Sequence, residues 1–193
     1  MLYSGNDPET TLLEQIRHGD KKAMKELYCH YSGYLNAVCS RYIACDEDVR
    51  DVLQESFIKI FSSIDKFCYK GDGSLKAWMS KIAVNESLTL LNKKEKLAIV
   101  QYESDIPDTI DDNDDDDDEG PDTGDIPVRA IQAMIRKLPT GYRTVFNLYV
   151  FEGKSHKEIA EMLNLKESSS ASQLHRAKAL LAKMIQEYKS TNY

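Results

Sequence analysis

Apolar residues recur every three or four positions along most of the chain, the spacing that predicts amphipathic helices. In the first half the pattern runs on both sides of His18-Gly19-Asp20, where Asp20 is placed to cap the second helix, and again over DEDVRDVLQESFIKIF. The residues of these stripes are Leu12, Leu13, Ile16, Ala23, Met24, Leu27, Tyr28, Tyr31, Val49, Val52, Leu53, Phe57, Ile60 and Phe61. No segment alternates apolar and polar residues as a strand does, so residues 1–98 predict an all-α domain.

A break in this periodicity falls at residues 65–74, DKFCYKGDGS, where two glycines predict a loop. The following SLKAWMSKIAVNESLTLLNKKEK predicts a helix of five or six turns with Ser74 as its N-cap. Seven lysines lie between residues 66 and 96, and Phe67, Tyr69 and Trp78 are interleaved with them. Lysines pair with phosphates and rings stack on unpaired bases, so this span is a candidate single-strand site. Spacing alone slightly favours a core position for Trp78.

The C-terminal part, residues 127–193, predicts four helices. The expected landmarks are a helix over Val128–Leu138, one that begins after Pro139 and ends at Gly153, one capped by Ser155, a left-handed turn at Asn164, and a last helix that opens at Glu167 or Ser168. Leu174, Ala177, Leu181 and Met184 should face inward from the last helix, and Ala160 should lie at the helix crossing. A helix, a short turn and a second helix form a helix-turn-helix, whose second helix enters the major groove of DNA.

Four polar residues are assigned to the outward face of that last helix: Ser169, Ser172, Gln173 and Arg176. A glutamine side chain can pair with adenine, an arginine with guanine or phosphate, and serine with either partner. An ordinary solvated helix would be equally polar. The local charge favours DNA, because residues 127–193 hold 11 basic and five acidic side chains.

The net charge of −7 conceals an uneven distribution along the chain. Residues 1–100 contain 14 basic and 14 acidic side chains, whereas residues 101–126 contain 13 acidic side chains and no basic one. Such a segment cannot bury enough apolar surface to fold, and its like charges extend it. Residues 99–126 therefore predict a disordered acidic linker between two small helical domains. The run DDNDDDDDEG at its centre is a plain spacer or a nucleic-acid mimic.

Several classes of protein are disfavoured by the remaining composition. No run of about 20 apolar residues and no basic-then-apolar leader is present, so we expect no membrane insertion and a cytoplasmic location. The four cysteines are expected as free thiols, and without CxxC or HxxxH pairs no metal site is expected. The sequence contains no phosphate loop and no nucleophile–base constellation. We therefore expect that the protein is not an enzyme and has no catalytic residue and no cofactor.

A second candidate surface is the polar, mostly acidic side of DEDVRDVLQESF. Asp48, Asp51, Gln54 and Glu55 lie opposite or beside its apolar stripe. The side chains form either a solvated helix face or a docking surface for a basic partner. Composition alone favours the solvated face.

Taken together and in this order, the segments resemble an extracytoplasmic-function (ECF) sigma factor, the two-domain promoter-specificity subunit of bacterial RNA polymerase. The resemblance covers nearly the whole chain. It rests on DVRDVLQESFIKIF, close to the family pattern D-A-E-D-L-V-Q-E-x-F, on GSLKAWMSKIAVNESLTLLNKK, and on LPTGYRTVFNLYVFEGKSHKEIAEMLNLKESSSASQLHRAKALL. It implies a region 2-like domain at 1–98 and a region 4-like helix-turn-helix domain at 127–193.

The resemblance also implies a role for each matched position. Core polymerase, through the clamp helices of its largest subunit, would be bound by Asp48, Asp51, Gln54, Glu55 and Phe57. The single-stranded minus-ten element would be recognised and melted by Lys66, Tyr69, Lys70, Lys76, Trp78, Lys81 and Asn85. The duplex minus-thirty-five element would be read by Ser169, Ser172, Gln173 and Arg176. The C-terminal domain would also bind the polymerase flap tip, and an anti-sigma factor is a further candidate partner.

Some positions depart from the family pattern. Arg50 replaces an acid, Ser168 and Ser170 replace a common Gly and Val, and Gln173 replaces a common Arg. The serine-rich ESSSASQL resembles a Bacteroidetes-like subset of the family. Two rival classes remain: a stand-alone helix-turn-helix transcriptional regulator, and an interaction protein whose acidic run mimics nucleic acid. A stand-alone regulator would not explain why one chain has both the lysine–aromatic span and the acidic side of DEDVRDVLQESF.

Overall fold

In the computed structural model, residues 8–98 and 126–192 are described, and they fall into two separate helical units, one within Met1–Ala98 and one within Ile99–Tyr193. Every regular element of these described ranges is helical, which confirms the all-α prediction. The acidic run and nearly all of the expected linker lie outside the described residues. Ile126, assigned to the linker from sequence, is 6% exposed and packs in the core of the second unit.

The N-terminal unit consists of four helices and one short turn of 3-10 helix. They are α1 (Pro8–Arg17), α2 (Lys21–Tyr42), α3 (Asp46–Ser63), the 3-10 turn (Ile64–Lys66) and α4 (Ser74–Ala98). Helices α2, α3 and α4 pack against one another, and α1 packs on α2 and on the 3-10 turn. The core repeats most of the predicted stripes: Leu13, Ile16, Ala23, Leu27, Tyr31, Val49, Val52, Phe57 and Ile60 are buried. Of the other stripe residues, Leu12, Met24, Leu53 and Phe61 are half-buried and Tyr28 is 44% exposed. Burial of this apolar surface supplies the main driving force for folding.

Local signals set most helix ends in this unit. Asp20 caps α2 as predicted, because its side chain accepts a 2.7 Å hydrogen bond from the amide of Lys22. Gly19 before it has a φ of 82°, a left-handed conformation that glycine adopts without strain. Ser74 opens α4, but its hydroxyl accepts a 3.2 Å hydrogen bond from the amide of Lys70 in the preceding loop. Ser74, expected as the N-cap of α4, therefore connects the loop to the start of α4 through this hydrogen bond.

The C-terminal unit consists of α5 (Val128–Lys137), α6 (Thr140–Val150), α7 (His156–Leu163) and α8 (Glu167–Asn192). Its core lies between α5, α6 and α8 and includes Met134, Leu138, Tyr142, Ala177 and Leu181. Met184, expected inside, is only partly buried and packs against this core. Helix α6 ends at Val150 rather than at Gly153. Gly153 instead has a φ of 62° in the turn that leads to α7.

The helix-turn-helix consists of α7 and α8. Ser155 and Glu158 form a reciprocal capping box at the start of α7, with the Ser155 amide donating to Glu158 Oε2 at 2.9 Å. Asn164 ends the helix with φ 54° and ψ 47°, the left-handed conformation predicted from sequence. The amide of Leu165 then donates to the Ala160 carbonyl at 3.0 Å, which fixes the turn before α8.

Candidate functional site

The exposed side of α3 presents an acidic surface in the N-terminal unit. Asp51, Gln54 and Glu55 are exposed at helical spacing, as the sequence predicted. Ile58, one turn further on, is 52% exposed and was not singled out from the sequence. We call these four residues the acidic face. The signal for Ile58 was available, because it lies three and four residues after Glu55 and Gln54 and outside the buried stripe.

Two other residues assigned to this surface from the sequence make contacts within the N-terminal unit. Asp48 is half-buried and pairs with Lys94 of α4. Phe57 is only 4% exposed, and its ring centroid lies 4.6 Å from that of Tyr28 and 5.9 Å from that of Phe61. Phe57 therefore cannot be a direct contact in this conformation, and the assignment from sequence is corrected to one of packing beneath the acidic face.

The loop between the 3-10 turn and α4 is braced from two sides. Arg17 Nη2 donates a 2.7 Å hydrogen bond to the carbonyl of Phe67. The Phe67 ring is buried, and its centroid lies 4.8 Å from that of Trp78. Trp78 is half-buried, so it packs on Phe67 and keeps part of its surface accessible. Trp78 is thus partly a core residue, and its role toward a single strand stays a prediction.

The predicted single-strand residues lie on this loop and on the exposed side of α4. Lys66, Lys70, Lys76, Lys81 and Asn85 are exposed, and Tyr69 is half-buried. Lys76 Nζ lies 4.2 Å from the ring centroid of Tyr34 on α2. This cation–π contact leaves the ammonium group at the surface. We call the loop with these lysines, Tyr69 and Trp78 the lysine–aromatic face.

A cavity of about 360 Å³ lies between α1 and the loop. Its lining includes Arg17, Lys66 and Tyr69 together with the acidic Glu14 and Asp65, so basic, acidic and aromatic side chains meet at one opening. Nearby, the Tyr31 hydroxyl donates a 2.6 Å hydrogen bond to Glu9 Oε1. Burial of Tyr31, this hydrogen bond and the negative charge of Glu9 raise the pKa of the phenol well above its ordinary value. Tyr31 therefore stays neutral and keeps the start of α1 on α2.

In the C-terminal unit, two of the four residues assigned to the outward face of α8 turn toward α6. Gln173 is half-buried with its Oε1 atom inaccessible, and a Cβ added at Gly141 would lie 3.2 Å from that atom. Arg176 is also half-buried, and its Nη1 donates to the hydroxyl of Tyr142 at 3.5 Å. Only Ser172 of the four is exposed, while Ser169 is half-buried. The predicted outward orientation is therefore wrong for Gln173 in this structure, whereas the partly exposed Arg176 lies beside Tyr142.

Ser170, which stands where an apolar residue was expected, has a partner inside the helix-turn-helix. It is 0% exposed, and its Oγ lies 2.9 Å from Nδ1 of His156 at the start of α7. The His156 ring in turn stacks on Tyr149, with centroids 4.9 Å apart and planes inclined by 22°. The serine thus satisfies a hydrogen-bonding group where the common valine could not.

The exposed stripe at the start of α8 holds residues that sequence reasoning missed. Ser168 and Ala171 are exposed beside Ser172, and His175 is half-exposed. Positions 168, 171, 172 and 175 share one helix face at the i, i+3, i+4, i+7 spacing. The buried residues Ser170, Leu174 and Ala177 mark the inward side of α8. Positions 168, 172 and 175 lie on the opposite side of the helix, so the inward spacing could have indicated them.

A separate apolar patch lies at the end of α6. Tyr149, Val150 and Phe151 are 39%, 47% and 47% exposed. Exposed apolar side chains of this size are candidates for contact with a partner. No residue of this patch was singled out from the sequence.

The described parts of the chain hold no group of metal ligands, no disulfide and no membrane-spanning helix. Within residues 8–98 and 126–192, no three His, Cys, Asp or Glu side chains are grouped so that they could hold a metal ion. The four cysteines are free, as expected. None of the described helices is both long and apolar enough to span a bilayer.

Comparisons with known proteins place both units. Residues 27–97 match the model of sigma-70 region 2, and residues 128–181 match that of sigma-70 region 4, so the two matches together cover more than half of the chain. The chain is 27% identical over 189 residues to the ECF RNA polymerase sigma-E factor of Haemophilus influenzae, with 92% of this chain and 95% of that protein covered. It is 26% identical over 180 residues to the ECF sigma factor SigW of Bacillus subtilis, with 91% and 95% covered.

Two solved structures are similar to the chain at lower identity. CnrH in complex with the cytosolic domain of CnrY is 23% identical, with a TM-score of 0.47, 94% of this chain and 99% of that chain covered. The sigma factor RpoE of Bartonella quintana, in complex with the anti-sigma factor NepR, is 18% identical, with a TM-score of 0.49, 86% of this chain and 98% of that chain covered.

Proposed function

Because this chain belongs to the ECF sigma factors, which direct bacterial core RNA polymerase to promoters, we propose that its three exposed surfaces divide that task among them. The acidic face binds core polymerase, the lysine–aromatic face captures the melted minus-ten strand, and the start of α8 contacts the minus-thirty-five duplex. The observation that carries this proposal is the presence of an acidic and a basic–aromatic surface on one small unit. A stand-alone helix-turn-helix regulator would need neither surface.

The acidic face suits a basic helical partner such as the clamp helices of the largest subunit. Asp51, Gln54 and Glu55 are exposed around the accessible side chain of Ile58. An apolar centre with charged neighbours is the usual arrangement of a helix-to-helix contact between proteins. Asp48 contributes through its ion pair with Lys94, which joins α3 to the far part of α4.

The lysine–aromatic face suits a single strand because it offers both kinds of contact that a strand needs. Lys66, Lys70 and Lys81 are exposed and supply charge for phosphates. The accessible part of Trp78, together with Tyr69 at the cavity beside α1, supplies rings for unstacked bases. Strand separation follows because captured bases no longer pair with the template strand.

The C-terminal unit contributes two contacts. Its helix-turn-helix places the start of α8 in the major groove, and the unit bears the excess of basic residues that duplex binding requires. The apolar patch Tyr149–Phe151 takes the flap tip of the polymerase. We also propose that the serine-rich start of α8 marks a Bacteroidetes-like subset of the family.

The remaining assignments follow from this role. The protein acts in the bacterial cytoplasm, where core polymerase and the promoter are. RNA synthesis is catalysed by the polymerase, so the chain supplies placement and strand separation and no enzymatic activity of its own. An anti-sigma factor that covers the acidic face would keep the protein from core polymerase. Domain limits at 1–98 and 127–193 remain our assignment, with Ile126 added to the second domain.

Separate variants of the two N-terminal surfaces test this division of labour. Asp51→Lys and Glu55→Lys together should lower affinity for core polymerase at least tenfold, because each reversal introduces like-charge repulsion against a basic partner. Lys81→Glu should keep core affinity and reduce permanganate reactivity of the minus-ten thymines. The matched controls are Glu26→Lys and Lys25→Glu, which reverse exposed charges on α2. Equal loss of closed-complex affinity and of melting in Lys81→Glu contradicts the assignment of Lys81 to strand separation.

A further inference from the structure

The first turns of α8 expose small side chains and a single ring. The exposed stripe consists of the exposed Ser168, Ala171 and Ser172 and the half-buried His175, spaced as one face of a helix. None of these residues is arginine, lysine, asparagine or glutamine, the side chains that most often make bidentate contacts with base edges. Any choice of base pair made by this face must therefore come from other chemistry.

The residues with the expected base-pairing chemistry are engaged elsewhere. The Gln173 Oε1 atom is inaccessible and lies against Gly141 at the start of α6, where it accepts no hydrogen bond. The Arg176 guanidinium on α8 lies beside the hydroxyl of Tyr142, which like Gly141 belongs to α6. The Gln173 side chain would have to leave the interface between α6 and α8 to reach a base. The positions of Gln173 and Arg176 join the recognition helix to the helix that supports it.

The rotation of α8 about its axis is fixed by its buried side. Ser170 is fully buried and pairs with His156 Nδ1, while Leu174 and Ala177 pack in the core. A helix turns by about 100° per residue, so burial of position 170 turns positions 168, 171, 172 and 175 outward. The Ser170–His156 pair is therefore a positioning contact for the exposed stripe.

We propose that His175 and the small pair Ala171–Ser172, and not Gln173, select the base pairs of the minus-thirty-five element. This inference rests on the proposed function. The imidazole of His175 donates through a ring N–H to N7 of a purine. The methyl group of Ala171 contacts the C5-methyl of a thymine on the neighbouring base pair. The small side chains at 168, 171 and 172 let the helix backbone approach the floor of the groove.

The test is transcription by core polymerase with the full-length chain on a promoter library that is randomised across the minus-thirty-five element. Sequencing the transcripts gives the base preference at each position for the wild type, His175→Ala, His175→Gln, Gln173→Met and Lys183→Ala. Gln173→Met keeps the length of a side chain whose oxygen lacks a partner, so it should fold normally. Lys183→Ala is a matched control on the exposed, distal part of α8.

We expect His175→Ala to weaken the preference at one or two adjacent base pairs by about five- to tenfold or more. His175→Gln, which retains a donor, should keep part of that preference, and Gln173→Met and Lys183→Ala should leave it unchanged within about twofold. A flattened preference in Gln173→Met, or an unchanged one in both His175 variants, overturns the inference and leaves the sigma role intact. A wild-type protein with no preference anywhere in the element overturns the inference together with the proposed minus-thirty-five contact.

Discussion

The Oγ atom of Ser170 lies 2.9 Å from Nδ1 of His156, which joins the buried side of α8 to the first residue of α7. His156 also stacks on Tyr149 at the end of α6, so one imidazole connects three helices of the C-terminal unit. The pair explains why a serine occupies a fully buried position among apolar neighbours.

Ser170→Ala should lower the free energy of unfolding by about 1 kcal/mol, because it removes a hydrogen bond between groups that are not fully exposed. The matched control, Ser172→Ala on the exposed side of the same helix, should change it by less than about 0.5 kcal/mol. Urea unfolding measures both. A double-mutant cycle with His156→Ala should show coupling, and strictly additive effects would count against the contact.

The ionised carboxylate of Glu158 should make the stability of the capping box at the start of α7 depend on pH. Hydrogen bonds from Lys154 and from the Ser155 amide and hydroxyl lower the pKa of its carboxyl from 4.5 to about 2. A lowered folded-state pKa contributes stability above the unfolded value, and that stability is lost as the pH falls from about 4.5 toward 2. Stability of the wild type should thus fall across this window more than that of Glu158→Gln. Parallel pH profiles of the two proteins would contradict the capping box.

The cysteines should react with a thiol reagent in two classes. Burial raises the pKa of the Cys39 thiol to about 11, and the side chain is 0% exposed. Cys29, Cys45 and Cys68 are exposed. The native protein should give three fast thiols and one that reacts only on unfolding. Rapid modification of Cys39, identified by mass spectrometry, would show that the α2 core opens more easily than its packing implies.

Phe57 and Ile58 should separate stability from binding, although they are neighbours in sequence. Phe57→Ala should lower the free energy of unfolding by about 3–5 kcal/mol, since a buried ring is lost. Ile58→Glu should change stability by less than about 1 kcal/mol, because Ile58 is 52% exposed. It should nevertheless weaken binding to core polymerase. Normal affinity of the Ile58→Glu variant for core polymerase would show that Ile58 is not part of the binding surface.

Local signals account for the features that the sequence predicted well. Asp20 caps α2, Ser155 caps α7 and Asn164 turns into the left-handed conformation because each outcome depends on neighbours within a few residues. Most residues of the apolar stripes are buried or half-buried as their spacing predicts, and the exposed Tyr28 is the exception.

Contacts between distant elements account for what the sequence did not predict. Gln173 turns inward because Gly141, far away in sequence, leaves space for it on α6. Ser74 bonds to Lys70 because the loop folds back on α4, and two positive-φ glycines make that turn. Phe57 was assigned to polymerase binding from the family motif, although its place in the apolar stripe of α3 predicted the burial that the structure shows.

Transcription reconstituted from purified parts tests the central claim most directly. Core RNA polymerase and the full-length chain are combined with a library of promoter fragments, and the start sites of the transcripts are mapped. The account predicts transcripts from a defined set of promoters that share a minus-ten and a minus-thirty-five element, and their loss in the Asp51→Lys, Glu55→Lys double variant. Absence of any new transcript, together with no binding of the chain to core polymerase, would contradict the account.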